Sequence, residues 1–146
     1  MVKIERLKKL SANDIDDINR ILPSLTEHYD GRSVNEAGLK KIIESPLHEQ
    51  FVARDDNGRI IGMATLNEVI SIYHGSVAYL EDIFVDANSG QRGIGSMIWE
   101  EMLNWCRERG IKRMEFTCRP ERTAAHNFYL KHGCEIRNTD AFRLVI

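Results

Sequence analysis

Apolar positions along this chain first alternate with polar ones, then recur every three to four residues, then alternate again, and each change of period predicts an element. From Val2 to Leu7, Val2 and Ile4 alternate with Lys3 and Glu5 while Leu7 falls off phase, which predicts a short half-buried strand. Ser11 stands as a helix cap before Ile15, Ile18, Ile21, Leu22 and Leu25, which share helical spacing. Asp14 and Asp16 fall in the first turn, where the helix dipole favours negative charge, and Pro23 should kink or end the helix. Ser33-Val34-Asn35-Glu36 reads as a capping box for a second helix with Leu39, Ile42 and Ile43 on its apolar face, and Pro46 follows its end.

The period shortens at Gln50. Phe51 to Arg54 and Arg59 to Leu66 read as two strands joined by the turn Asp55-Asp56-Asn57-Gly58, and Val77 to Val85 is a further strand. After Gly95 a helical period returns, with Ile98, Met102, Leu103 and Cys106 on one face and Gly110 as the stop. Arg113 to Cys118 reads as a strand, Glu121 to His132 as a helix closed by Gly133, and Glu135 to Asn138 and Phe142 to Ile146 as two short strands. The expected order is β-α-α-β-β-β-α-β-α-β-β. An antiparallel hairpin followed by a crossover implies an α/β fold with a mixed, mostly antiparallel twisted sheet and helices on both faces.

With 146 residues the chain is about one domain long, and neither linker nor repeat divides it, so residues 1–146 are expected to form a single domain. Twenty basic against 22 acidic residues leave a net charge of -2, no footprint for general binding to nucleic acid or an anionic membrane. Neither a secretory signal nor a membrane-length apolar run is present, and a cytoplasmic location is expected. Cys106, Cys118 and Cys134 are widely spaced and no two histidines share a H-x-x-x-H, so neither a disulfide framework nor a metal site is expected. Trp99 and Trp105, six apart on one helix, project to different faces and are expected to pack in a core or interface.

The most informative stretch is Gly90-Gln91-Arg92-Gly93-Ile94-Gly95-Ser96, between a strand and an amphipathic helix. Amides at a helix start lack internal acceptors and lie at the positive end of the dipole, which suits a phosphate group. A nucleoside-triphosphate loop would need lysine where Ser96 stands, and a dinucleotide loop would need glycine at Ile98.

The stretch resembles the pyrophosphate loop, [RQ]-x-x-G-x-[GA], of the GCN5-related N-acetyltransferase (GNAT) superfamily: Gly93 and Gly95 match, and Gly90 stands where the family has Arg or Gln. Tyr79-Leu80-Glu81-Asp82-Ile83-Phe84-Val85 is similar to a strand of the polyamine and amino-sugar acetyltransferases, which carry an acidic pair there. Ala125 to Gly133 is similar to the family's A-x-x-x-Y-x-K-x-G-F, with Cys134 in place of Phe. The resemblance implies a GNAT-like fold that takes acetyl-CoA as co-substrate. Gly90, Gln91, Arg92, Gly93, Ile94, Gly95 and Ser96 would hold the pyrophosphate. The amides near Ile83, Phe84 and Val85, where the family's strand bulges, would hold the pantetheine arm together with Asn127.

Amine acetylation needs a base for the nucleophile and an acid for the leaving thiolate. Glu81 is the expected base, Tyr129 the expected acid, and Glu81 and Asp82 the expected substrate contacts. Strict strand alternation would send Glu81 and Asp82 to opposite faces, leaving at most one toward the substrate. The acidic stretches Asp14 to Asp17 and Glu27 to Asp30 hint at a cationic acceptor, although solvated helix faces explain most such charge. The expected activity is direct transfer of acetyl to a primary amine of a small molecule, a polyamine, amino sugar or similar. A protein or peptide amine is the alternative, and Gly90 in place of Arg or Gln favours a third reading, a non-catalytic acyl-CoA sensor. A homodimer is a possible assembly.

Overall fold

The computed structural model describes residues 1–146, which form two compact units, Met1–Glu115 and Phe116–Ile146. The first unit holds a five-stranded sheet in the order β1-β2-β3-β4-β5, made of Lys3–Arg6, His48–Arg54, Ile60–Ser71, Gly75–Val85 and Met114–Glu115. The first four strands are antiparallel to their neighbours, and β5 runs parallel to β4 across the crossover helix, as the element order required.

Helices α1, Asp14–Ile21, and α2, Glu36–Ile43, cover one face of the sheet. Their Ile18, Ile21 and Leu39 pack with Val52, Met63 and Phe84, which the register sets side by side across β2, β3 and β4. Helix α3, Ile94–Glu108, covers the other face, burying Ile94, Ile98, Trp99, Met102, Trp105 and Cys106. Both tryptophans are core residues, and the Arg109 guanidinium lies 4.8 Å from the Trp105 ring centroid. No helix is long and apolar enough to cross a membrane.

A buried ionic latch fixes α1 to the sheet. Arg54 donates to Asp14 at 2.8 and 3.2 Å and to Glu5 at 2.6 Å. Asp17 accepts the Ile60 amide at 3.0 Å and Arg59 at 3.2 Å, while Arg20 pairs with Asp86 and donates to the Ile60 carbonyl at 2.7 Å. Burial alone would raise the proton affinity of Asp14, but Arg54 and the Ser11 amide and hydroxyl outweigh it and hold the carboxyl below its ordinary value. Asp14 and Asp17 are thus structural, neither solvated nor available to a substrate.

Several boundaries differ from those expected. Ser11 does not cap α1: its amide and hydroxyl both donate to Asp14, and Asn13 occupies the cap position. Asn35, not Ser33, caps α2, its side chain accepting the Gly38 amide at 2.7 Å. Pro23 ends α1 as expected, opening a 3₁₀ turn over Leu22–Leu25. Strands β3 and β4 continue as a two-stranded ribbon to the turn between Ser71 and Gly75, past the last residue that β2 pairs. The expected strand from Arg113 to Cys118 shrinks to Met114–Glu115, because only those two residues find a partner on β4.

The second unit contains helix α4, Thr123–Lys131. Its ring packing joins Phe116 and Tyr129, with centroids 4.5 Å apart, and Phe128 and Tyr129 at 5.6 Å. The two strands expected over Glu135 to Asn138 and Phe142 to Ile146 are not formed, so the order is corrected to β-α-α-β-β-β-α-β-α. Alternation of Phe142, Leu144 and Ile146 marks a strand only where a neighbouring strand accepts it, and here all three side chains are exposed.

Candidate active site

One inserted residue shapes the centre of β4. Thr65 stands opposite Asp82 and the adjacent Leu66 stands opposite Leu80, so Glu81 is an extra residue with no counterpart on β3. The bulge predicted by resemblance is therefore present, and it breaks the alternation that would have separated the two carboxylates. Asp82 shares the face of Thr65, and with the Asn67 carboxamide nitrogen turned toward it, Glu81 Oε1 accepts from Asn67 at 3.3 Å. Asn67 and Thr65 are two apart on β3 and lie on the same face. Glu81 and Asp82 both belong to the α1–α2 side of the sheet.

The bulge also sets which amides are free. Asp86 donates to the Ile61 carbonyl at 2.8 Å, so by alternation the Phe84 amide also points to β3, while those of Ile83 and Val85 point away from it. Toward β5 the ladder stops after Tyr79, which leaves Ile83 and Val85 presenting N–H groups at an open edge. Phe84 differs from the expectation: its amide faces the ladder and its ring is buried in the α1–α2 core.

Past β4, Gly90 and Gly93 adopt left-handed conformations, with φ of 66° and 81°. Gly93 caps α3 without any side-chain hydrogen bond, and the first helical bond runs from the Met97 amide to the Gly93 carbonyl at 3.1 Å. The amides of Ile94, Gly95 and Ser96 consequently have no acceptor in the chain, at the positive end of a 15-residue helix. Gly90, Gln91, Arg92 and Gly93 are exposed beside them. This donor set fits a diphosphate. Sequence reasoning missed why the helix begins where it does: a Cβ on Gly62 would lie 3.2 Å from both Ile94 Cγ2 and Ile98 Cδ1, so glycine at 62 lets α3 sit close on the sheet.

The carboxylates differ in surroundings. Glu81 is exposed, whereas Asp82 is partly buried, lacks any hydrogen bond or ion pair, and has its proton affinity raised by desolvation. Within the second unit, burial raises the proton affinity of the Tyr129 phenol; Cys118 and Cys134 add to the effect and Arg122 opposes it. Asn127 is exposed on α4. Burial also pushes the Cys106 thiol up to about 11, the wrong direction for a nucleophile. No cluster of His, Cys, Asp and Glu capable of holding a metal ion is present.

The family model described as acetyltransferase (GNAT) family matches residues 15–134. The fold is shared with an aminoglycoside acetyltransferase from an uncultured soil metagenomic sample, solved with sisomicin, at TM-score 0.80 and 22% identity, covering 99% of this chain and 97% of that one. It is shared also with the aminoglycoside acetyltransferase AAC(6')-Iy, solved with a bisubstrate analogue of CoA, at TM-score 0.75, 22% identity and coverage of 100% and 99%. A transcriptional regulator from Bacillus halodurans aligns at TM-score 0.81 and 20% identity over the full length of both chains.

Proposed function

Because this chain belongs to the acetyltransferase (GNAT) family and is an acetyl-CoA-dependent N-acetyltransferase, we propose that its acceptor is a primary amine on a small polycationic molecule, a polyamine or amino sugar. The observation that carries this reading is the bulge at Glu81, which sets two carboxylates on one face and two unpaired amides on the adjoining edge. Acetyl-CoA supplies the activated acetyl group. The Ile94, Gly95 and Ser96 amides hold its diphosphate, with Gln91 and Arg92 as polar neighbours, and Ile83 and Val85 hold the pantetheine arm. Asn127 and Tyr129 take the roles that resemblance gives them, a pantetheine contact and the proton donor to the leaving thiolate. The whole chain is read as one acetyltransferase domain, since the family match spans residues of both units.

Glu81, exposed and oriented by Asn67, meets the cationic acceptor, and the carboxylate pair removes the proton that blocks the amine lone pair. Tyr129 suits an acid because burial keeps its phenol protonated well above neutral pH. The test is release of free CoA thiol with acetyl-CoA and a panel of spermidine, an aminoglycoside and a lysine peptide. Turnover of the small amines, with kcat of Tyr129→Phe reduced at least tenfold, is expected. Tight acetyl-CoA binding without turnover of any amine would replace this reading with the sensor; preference for the peptide would move the acceptor to proteins.

A further inference from the structure

The face of the sheet under α1 and α2 is apolar along the row Val52, Met63, Phe84 and polar along the next row, Gln50, Thr65, Asp82. A buried polar row beside the core needs a reason, since each unsatisfied group in it costs stability. Gln50 is 1% exposed and Thr65 4%. The Gln50 carboxamide nitrogen donates to the Ala64 carbonyl at 2.9 Å and to the Phe51 carbonyl at 3.3 Å. Those two backbone acceptors fix which way the amide points, so its oxygen faces Thr65.

Thr65 donates its single hydroxyl hydrogen to Gln50 Oε1 at 2.8 Å. What Thr65 can still offer on its other side is lone pairs. Asp82 stands directly opposite, where facing Cβ atoms lie about 4.5–5.5 Å apart. An oxygen that can only accept gives no support to a carboxylate anion and welcomes a carboxyl O–H. We propose that Gln50, acting through Thr65, is a positioning residue that makes Asp82, in place of Glu81, the proton acceptor for the amine.

This inference rests on the acetyl-transfer reading and divides the labour within its carboxylate pair. Glu81 holds the ammonium. Asp82 then receives one proton from it: the N–H bond breaks, the electron pair stays on nitrogen, and the carboxylate becomes a carboxyl that donates to Thr65 Oγ1. The proton passes to water when the site reopens. Desolvation of Asp82 acts in the same direction. The other ionisable groups on this side are Glu81 beside it, His48, Tyr79 and Glu115 in the next row, Asp86 paired with Arg20 of α1, and the Glu5, Arg54, Asp14 and Asp17 latch at the far end; the 3₁₀ turn packed against β4 carries none.

The experiment pairs pH profiles of kcat/KM with a carbon NMR titration of the Asp82 side-chain carboxyl, identified by its loss in Asp82→Asn. Asp82→Asn should abolish the acid limb. Gln50→Met frees the Thr65 hydroxyl to donate to Asp82, so both the limb and the NMR midpoint should fall by roughly one pH unit while KM for the amine changes less than twofold. Thr65→Ala should shift the midpoint in the same direction, and Thr65→Ser should restore it, which keeps the test open if Gln50→Met fails to fold. An acid limb surviving in Asp82→Asn, or midpoints unmoved in Gln50→Met and Thr65→Ala, overturns the assignment. The NMR arm needs no turnover, so a shifted midpoint in a protein that acetylates nothing would defeat the acetyl-transfer reading and leave the Gln50–Thr65 control of Asp82 standing.

Discussion

Replacing Gly62 tests whether the seating of α3 depends on one missing side chain. An alanine Cβ there would lie 3.2 Å from Ile94 Cγ2 and 3.2 Å from Ile98 Cδ1, and 3.4 Å from the Phe84 carbonyl oxygen. Carbon atoms in packed interiors prefer about 3.5–4.0 Å, so the helix must retreat by several tenths of an ångström. Neither isoleucine can swing aside, being 1% and 0% exposed. Overpacking of this kind costs about 1–3 kcal/mol, and the smaller unfolded-state entropy of alanine returns about 0.4–1. The net expectation for Gly62→Ala is a loss of about 1 kcal/mol, a fall in melting temperature of roughly 2–4 °C at this chain length. Gly62→Val should cost about 3 kcal/mol. Urea unfolding supplies the stability, and calorimetric titration with CoA supplies a second readout, because Ile94 carries the first of the free helix amides. A Gly62→Ala protein as stable as the parent and binding CoA equally well would refute the close approach.

Arg54→Met should cost about 3 kcal/mol at pH 7 by stranding Asp14 and Glu5. Both carboxyls have lowered proton affinity in the fold, so their stabilisation is present above about pH 4 and is lost as pH falls below it. The gap from wild type in urea should therefore narrow by pH 3, and an equal gap at both pH values would exclude the ionic account. Asp82 has the opposite sign: its raised proton affinity favours the fold below its unfolded value of about 4, and this is lost as pH rises. Asp82→Asn should thus melt higher than wild type at pH 7 and equally at pH 3; no gain at neutral pH would show that the carboxylate is not desolvated. Cys106 should resist iodoacetamide at pH 8 until urea is added, checked by mass spectrometry of the labelled peptide.

Period and punctuation in the sequence were enough to place α1 to α4, the hairpin of β2 and β3, and the parallel crossover into β5, because those signals are local. The loop from Gly90 to Ser96 was legible for the same reason: glycines at a strand-to-helix junction leave amides uncovered whatever packs nearby. The bulge was not derivable from residue spacing, since nothing in Leu80-Glu81-Asp82 distinguishes an inserted residue from an alternating one until β3 supplies the register. Gln50 and Thr65 read as ordinary polar interruptions of apolar strands, and only pairing brings them into line with Asp82. The cap of α2 was misplaced by two residues because Ser33 and Asn35 are both competent and backbone geometry chooses Asn35. The alternation at the end of the chain was real, but pairing is a property of two strands and the sequence displays one.

The extra residue at Glu81 ties together two choices that a regular strand would leave independent. Flattening it, so that Glu81 paired with Thr65, would restore an unbroken ladder with β3, turn the outward amide of Ile83 inward, and send Asp82 to the far side of the sheet. Such a strand would be a better-formed β-structure with its two carboxylates on opposite faces and a different set of edge amides. The outward amides and the shared face of the two carboxylates therefore depend on one residue's place in the ladder and change together.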